Sequence, residues 1–240
     1  CHELGVSEVY RVGGAQAVVR LTNGQVQAVG DLMGPGNPFS SDNYVDGDWL
    51  YSACDGAFII GQTAPFDTVS KTYPYTELSQ SYPPIDPGAP RQDAPLLSGV
   101  VKAGGLVWLV GDNVGVVAYD VTNPAAPTLV FQDAFFFNKS GQANITTLGD
   151  FVYAACGDKR VRIYRASPPA FVGEIPDWIT ANFVDALTVP GQGDFILATH
   201  YWNFQPGQEG SWGAYVYKVD TNGVATRWAK WPPTYSFPAF

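Results

Sequence analysis

An all-β fold made of repeated four-stranded units is predicted by a recurring decapeptide, by the spacing of its copies and by the composition. Each copy runs from Gly-Asp or Gly-Gly through an apolar strand to a turn containing Asp or Gly, and the copies begin near positions 6 (degenerate), 47, 104, 149 and 193. Intervals of 41 to 57 residues match one four-stranded propeller blade. With 26 Gly and 19 Pro against 1 Met, turns dominate over helices. The sequence therefore predicts a small β-propeller of five blades in a single domain, residues 1–240.

The decapeptide is predicted to form the second strand of each unit. Its alternate residues are apolar on both faces, as in strands buried between stacked sheets. Another apolar stretch, the third strand, follows each copy. A fourth begins just after Pro65, Pro127 and Pro169 in three units, as FDTVSK, TLVFQ and AFVGEI. Proline at the entrance is typical of an outermost strand, and the preceding stretches SGVVKAG, ANITTLG and DALTVPG are predicted as innermost strands.

Two segments depart from the repeat. Residues 73–95 are rich in proline and polar side chains, which predicts a long surface excursion. The first unit lacks an obvious innermost strand, and the tail PPTYSFPAF from Pro232 is a candidate to supply it. Such a join of the chain ends in one blade would hide the sheet edges; an incomplete propeller is the alternative.

The charge distribution excludes some partners. The net charge is −9, the pI is near 4.5, and the 13 Lys and Arg are scattered along the chain. Nucleic acid is therefore not an expected partner. No apolar run approaches the ~20 residues that span a bilayer, so no transmembrane segment is expected.

The segment VWLVGDNVGVVAYDVTNPAAPTLVFQ, from Val107 to Gln132, resembles an LVIVD-type β-propeller repeat. It has the strand, the Gly/Asp turn, a strand ending in Asp-Val and an Asn-Pro-x-x-Pro turn. The copy from Phe151 to Ile175 is similar but lacks Asn-Pro. The resemblance implies an exported or surface-anchored protein, often without an assigned activity.

The chain begins with Cys1, as a bacterial lipoprotein does after cleavage before its lipid-bearing Cys. Lipidation of Cys1 is one expectation; a trimmed chain and a half-cystine are the alternatives. Asn138 and Asn144 begin sequons and are glycan acceptors if the source glycosylates. The expected location is extracytoplasmic, either secreted or as a surface or outer-membrane lipoprotein.

Alignment of the units places Cys54, Cys156 and His200 at the end of the second strand. Thiolate and imidazole groups suit zinc or copper, so these residues are the metal candidates. The alternative is that both cysteines are small buried residues at a strand end.

Acidic residues lie in the turns at the same level. Asp112 and Asp158, together with His200, are the catalytic candidates of a hydrolase, and an acidic ring that includes Asp55 would suit Ca²⁺. The alternative is ordinary turn chemistry, since Asp-Gly, Asp-Asn and Gly-Asp are common in hairpins.

The last unit carries a long insertion between its second and third strands, HYWNFQPGQEGSWG from His200. Loops longer than their structural role requires often carry function, and aromatic and amide groups can stack on and hydrogen-bond a sugar or a protein. The ligand-binding candidates are Trp202, Asn203, Phe204, Gln208 and Trp212. The alternative is that the aromatics cap the core.

These features favour a non-enzymatic, exported propeller that binds or scaffolds through a glycan, a surface partner or copies of itself. No catalytic motif and no cofactor requirement is evident, although Ca²⁺ or a transition metal would fit the candidates above. The alternative function is a hydrolase, glycosidase-like or metal-dependent, with its site at one end of the propeller.

Overall fold

The computed structural model describes residues 2–4, 7–12, 15–22, 25–31, 40–54, 56–63, 75–137, 143–176, 181–200 and 213–231. Within these residues the chain forms twenty β-strands and no helix. No helix of the described part is therefore long and apolar enough to cross a membrane.

The strands form five antiparallel four-stranded sheets, each from consecutive strands of the chain. The first sheet contains β1 (His2–Leu4), β2 (Ser7–Val12), β3 (Ala15–Thr22) and β4 (Gln25–Asp31). The second contains β5 (Ser40–Asp46), β6 (Trp49–Cys54), β7 (Ala57–Thr63) and β8 (Tyr75–Ser81). The third contains β9 (Leu97–Ala103), β10 (Leu106–Gly111), β11 (Gly115–Asp120) and β12 (Thr128–Asp133).

The fourth sheet contains β13 (Ile145–Leu148), β14 (Phe151–Ala155), β15 (Val161–Arg165) and β16 (Ala170–Glu174). The fifth contains β17 (Ala181–Val189), β18 (Gly193–His200), β19 (Gly213–Val219) and β20 (Ala225–Trp231). Successive sheets meet through their first strands: β1 packs against β5, β5 against β9, β9 against β13, and β13 against β17. This is the stacking of propeller blades around an axis lined by the innermost strands.

The predicted strand order is confirmed. The decapeptides form the second strands, which are largely buried in the second, third and fourth sheets. The predicted innermost strands are β9, β13 and β17, and TLVFQ and AFVGEI form the outermost strands β12 and β16. The first unit, which was expected to lack an innermost strand of its own, takes it from His2–Leu4. The tail from Pro232, which was the candidate for that strand, lies outside the described residues.

One prediction about the second unit is wrong. Its outermost strand is β8, which lies inside the segment predicted as an excursion from residue 73, whereas FDTVSK lies outside the described residues. The irregular segment is therefore 82–96. Residues 75–81 alternate polar and apolar side chains weakly, so the proline count concealed an edge strand that needs burial on only one face.

Hydrogen bonds and close approaches recur where one innermost strand meets the next. The carboxylate of Asp42 accepts a hydrogen bond of 3.0 Å from the backbone N–H of Val100. Gly99 holds the equivalent place on β9, where a Cβ would lie 3.0 Å from the Cα of Asn144. On the fourth sheet Asn144 itself bonds the next strand at Val184. One register position on the inner strands therefore faces the following blade.

The contact of Asn144 gives this predicted glycan acceptor a structural role. Its Nδ2 atom, the atom that a glycan would modify, donates to the carbonyl of Val184 at 2.8 Å, and its Oδ1 accepts from the Val184 N–H at 2.6 Å. The side chain is half-buried between two sheets. Asn144 thus has a role in blade packing, and Asn138 lies outside the described residues.

Replacing Asn144 with alanine is expected to lower the free energy of unfolding by about 2 kcal/mol, since two hydrogen bonds to a buried residue are lost at roughly 1 kcal/mol each. Urea denaturation followed by circular dichroism measures this change. Asn123→Ala, at an exposed asparagine in the β11–β12 turn, is the matched control and should change the stability by less than about 0.5 kcal/mol. Equal effects of both substitutions would contradict the proposed contact.

Candidate functional site

The end of the propeller formed by the connections between second and third strands is the candidate site, and we call it the turn face. Its described residues are 56, 112–114 and 156–160. Residues 201–212, with the ligand candidates Trp202, Asn203, Phe204, Gln208 and Trp212, lie outside the described residues, as do Cys1, Asp55 and the side chain of His200.

Two segments cover the turn face above the third sheet: residues 82–96, and the residues after β12 up to Phe137. The irregular segment 82–96 reaches over from the second sheet, where the N–H of Gly56 donates to the carbonyl of Pro95 at 2.8 Å. The N–H of Asp112 donates to the Leu96 carbonyl at 3.2 Å, and the Phe137 N–H donates to the Asp112 carbonyl at 3.0 Å. The turn at Asp112 is therefore held from both sides.

Asn113 is the centre of this arrangement. Its side chain, 1% exposed, accepts a hydrogen bond from the Leu96 N–H at 2.8 Å. Its amide nitrogen donates to the carbonyls of Ala94 at 2.7 Å and Arg91 at 3.2 Å. One buried amide thus satisfies three backbone groups of a segment that has no strand ladder of its own.

Further hydrogen bonds hold segment 82–96 against Asn113 and within itself. The Asp86 N–H donates to the Asn113 carbonyl, and the Asp86 carboxylate accepts from the Gly88 N–H. The amide of Gln92 donates to the carbonyls of Asp86 and Ala89. The exposed Arg91 pairs with Asp93, and its hydrogen bond lowers the pKa of the Asp93 carboxyl.

The two carboxylate candidates lie in the turns of neighbouring sheets at this end. Asp112 is half-buried beneath the covering segments, whereas Asp158 is exposed and lies 3.8 Å from the amine of Lys159. Between Cys156 and Arg160 the chain makes a tight turn tied to the fifth sheet, since Gly157 and Ala181 exchange two backbone hydrogen bonds. The structure thus places Asp112 and Asp158 in the turns of two neighbouring sheets.

Arg160 adopts the left-handed backbone region, with φ of 68°. This conformation is uncommon for a residue with a Cβ. The guanidinium of Arg160 forms an ion pair of 2.5 Å with Glu174. Glu174 is thus engaged across its own sheet.

The two candidate metal-binding cysteines are buried and free of disulfides. Cys54 packs with Ala57 and Ile59, whereas Cys156 belongs to a separate cluster between the third and fourth sheets. Burial raises the pKa of the Cys156 thiol, which opposes formation of the thiolate that metals bind. Within the described part of the chain, no group of three or more His, Cys, Asp and Glu residues could hold a metal ion.

A charged and aromatic cluster closes the junction of the third and fourth sheets at this end. The Arg162 guanidinium lies between the rings of Phe135 and Phe171, 4.5 and 4.3 Å from their centroids. It also forms an ion pair of 2.9 Å with Asp133. The Tyr164 hydroxyl donates to Asp133 at 2.8 Å, and burial raises the pKa of Tyr164 well above its usual value. The cluster links two blades.

A groove of about 440 Å³ lies between the outer strands of the fourth and fifth sheets and was missed by sequence reasoning. Its apolar lining includes Val172, Tyr217 and Val224, and Glu174 and Arg227 also line it. The sign of this groove in the sequence was a pair of valines that are exposed in the structure, Val172 in an outer strand and Val224 in a turn. Neither valine belongs to a motif.

Comparison with solved structures concerns the fold. A crystal structure of a protein from Lactobacillus plantarum aligns with a TM-score of 0.58 at 15% identity, covering 93% of this chain and 67% of that one. A crystal structure of the mitotic checkpoint complex aligns with a TM-score of 0.46 at 12% identity, covering 93% and 75%. The five stacked sheets and the first of these likenesses define the class of the molecule, a small all-β propeller.

The N-terminal segment has a separate relationship. Residues 1–43 match the histidinol dehydrogenase family model. Histidinol dehydrogenase of Rhodopirellula baltica is 56% identical over 41 residues, which are 16% of this chain and 9% of that enzyme. The matched residues include the first sheet, whose decapeptide is the degenerate copy. The chain spans less than a tenth of this relative.

Proposed function

We propose that this chain is a non-enzymatic propeller that acts in binding or scaffolding, with the turn face as its binding surface for a glycan or a protein. The observation that supports it best is that charged side chains at the turn face, above the third and fourth sheets, are held by ion pairs. Asp158 of the turn face lies 3.8 Å from the Lys159 amine, and Arg160 of the turn face pairs with Glu174. Beside the turn face, Asp133 pairs with Arg162. An ordered surface of this kind suits recognition, because little conformational entropy is lost on binding.

The proposal includes a location outside the cytoplasm, either secreted or on the cell surface. The LVIVD resemblance of residues 107–132 favours an exported or cell-surface protein, where a propeller can present loops to glycans, to surface partners or to other copies of itself. The dehydrogenase activity of the N-terminal relative is not part of the proposal, since the match covers 9% of that enzyme.

The insertion of the fifth unit is the proposed contact region, because Trp202, Phe204 and Trp212 can stack on sugar rings or anchor a protein interface. The experiment compares binding of the wild-type chain and of the double variant Trp202→Ala, Trp212→Ala to a panel of immobilised glycans and cell-surface extracts. We expect the double variant to lose binding with its circular dichroism spectrum unchanged. Trp228→Ala, at an exposed tryptophan of the last strand, is the control and should bind as the wild type does.

Two results would overturn the proposal. Unchanged binding by the double variant would remove the insertion from the site. Turnover of a glycoside, lactone or phosphate ester that is abolished by Asp112→Asn or Asp158→Asn would establish the hydrolase instead.

A further inference from the structure

The junctions between neighbouring sheets repeat one arrangement around a buried tyrosine. In the third, fourth and fifth sheets the pairing of the third strand with the outermost strand contains a register shift, and Tyr119, Tyr164 and Tyr217 stand at this shift. Each tyrosine is buried in a cluster with apolar residues of the preceding sheet. The residue that the preceding sheet sets against the tyrosine therefore decides how the junction is closed.

One position on the outermost strands differs among these junctions. It is paired with the third-strand residue just before the register shift, and it is Ser79 in the second sheet, Phe131 in the third and Gly173 in the fourth. The Ser79 hydroxyl donates to the carbonyl of Pro124 in the next sheet at 2.7 Å, and the Phe131 ring lies 5.8 Å from the ring of Tyr164. A Cβ at Gly173 would meet nothing within 4 Å beyond its neighbours in the chain. The fourth sheet therefore lacks the side chain that closes the two earlier junctions.

The groove between the fourth and fifth sheets lies at this position. Gly173 and Tyr217 both line it, together with Val172 of the outer strand and Val224 of the following turn. Its volume of about 440 Å³ is typical of sites that bind small molecules. The groove is thus the space that is left where the third sheet carries the ring of Phe131.

Two cations share the face of the fifth sheet that borders the groove. Arg227 on β20 is paired with Tyr217, and Lys230 is paired with Tyr215; residues directly opposite in an antiparallel pair share a face. Arg227 lines the groove, and the Lys230 amine lies 5.2 Å from the centre of the Tyr215 ring. The rings of Tyr215 and Tyr217 are stacked, with their centres 6.5 Å apart. Both cations therefore lie along one aromatic surface.

Glu174 also lines the groove, but its carboxylate is engaged elsewhere. It follows Gly173 in β16, and successive side chains of a strand point to opposite faces. Its carboxylate forms the ion pair with Arg160. The described side chains on the groove side of the two sheets therefore carry positive charge, in a chain whose net charge is −9.

We propose that this groove binds a small aromatic carboxylate. The ring of the ligand takes the place that Phe131 holds at the preceding junction and packs against Tyr217, as aromatic pairs do in protein cores. The carboxylate is directed to Arg227, because a guanidinium binds a carboxylate through charge-assisted hydrogen bonds. The site lies between outer strands and does not rest on the function proposed for the turn face.

Isothermal titration calorimetry of the full chain with naphthalene carboxylate and with its neutral amide, naphthalene carboxamide, measures the proposed binding. The two probes share one ring system and differ in charge. We expect the carboxylate to bind at a single site. The carboxamide is expected to bind roughly tenfold more weakly, because it forms no charge-assisted hydrogen bond with Arg227.

A substitution at Gly173 locates the site. Gly173→Phe places a ring in the groove, as Phe131 does at the preceding junction, and is expected to abolish binding of both probes with the circular dichroism spectrum unchanged. Val130→Phe is the matched control, at a 44% exposed residue in the outer strand of the third sheet. This variant is expected to bind both probes as the wild type does.

A substitution at Arg227 tests the charge. Arg227→Gln is expected to lower the affinity for naphthalene carboxylate roughly tenfold and to leave the affinity for the carboxamide unchanged. Arg165→Gln, at an exposed arginine of β15, is the control and should bind both probes as the wild type does. A general loss of structure would instead weaken both probes together.

A wild-type chain that binds neither probe would overturn the inference, and so would a folded Gly173→Phe chain that binds as the wild type does. If Gly173→Phe failed to fold, Arg227→Gln would decide, since equal effects on the two probes contradict the proposed contact. The Trp202→Ala, Trp212→Ala double variant is expected to bind naphthalene carboxylate as the wild type does. Failure of the turn-face proposal and failure of this inference are therefore distinguishable.

Discussion

Replacing Trp108 with alanine is expected to lower the free energy of unfolding by about 3–5 kcal/mol, the range found for large aromatic residues removed from a core. Trp108 is fully buried, and its ring lies 5.5 Å from Phe131 and 5.8 Å from Tyr164. It therefore joins the third sheet to the fourth. Removal of the ring leaves a cavity between two blades, and the rigid sheets cannot move together to fill it. Urea denaturation followed by circular dichroism measures the loss.

Two variants sharpen this prediction. Trp108→Phe keeps an aromatic ring and removes the indole N–H, which has no hydrogen-bond partner in the described part of the chain, so we expect a loss smaller than that of alanine. Tyr82→Ala, at a residue that is 66% exposed, should cost less than about 1 kcal/mol. If Trp108→Ala were as mild as Tyr82→Ala, the ring would not be a blade-packing residue.

The repeat makes Trp108 and its equivalents predictable from sequence. Strands buried on both faces require apolar residues at every position. This requirement concerns consecutive residues only, so a single decapeptide shows it. The direction in which Tyr51, Trp108 and Tyr153 pack was not predictable, because it depends on which sheet follows in space.

The site was less predictable than the fold. Asn113 belongs to an Asp-Asn pair that reads as ordinary turn chemistry, yet its amide binds a segment that lies 17–22 residues earlier in the chain. Asn144 reads as a sequon, whereas its partner Val184 is 40 residues away. Side-chain bonds to distant backbone leave no periodicity in a sequence, so only the assembled sheets reveal them.

Segment 82–96 depends on Asn113 most directly, and replacing that residue with alanine is expected to lower the free energy of unfolding by about 3 kcal/mol. Three hydrogen bonds to backbone groups are lost, at roughly 1 kcal/mol each. Asn113→Asp is expected to cost more, because it sets a buried carboxylate oxygen against the carbonyls of Arg91 and Ala94. Denaturation measures both losses, and trypsin cleavage after the exposed Arg91 reports the loosening of the segment.

Gln132→Ala provides the control, because Gln132 donates to the carbonyl of Pro84 in the same segment through a single exposed bond. We expect it to cost less than about 1 kcal/mol and to leave the rate of cleavage after Arg91 close to that of the wild type. If Asn113→Ala cleaved no faster than Gln132→Ala, the segment would be held by its own contacts, Arg91 with Asp93 and Gln92 with Asp86, rather than by the turn beneath it. Faster cleavage shows instead that one buried amide fixes the cover of the turn face.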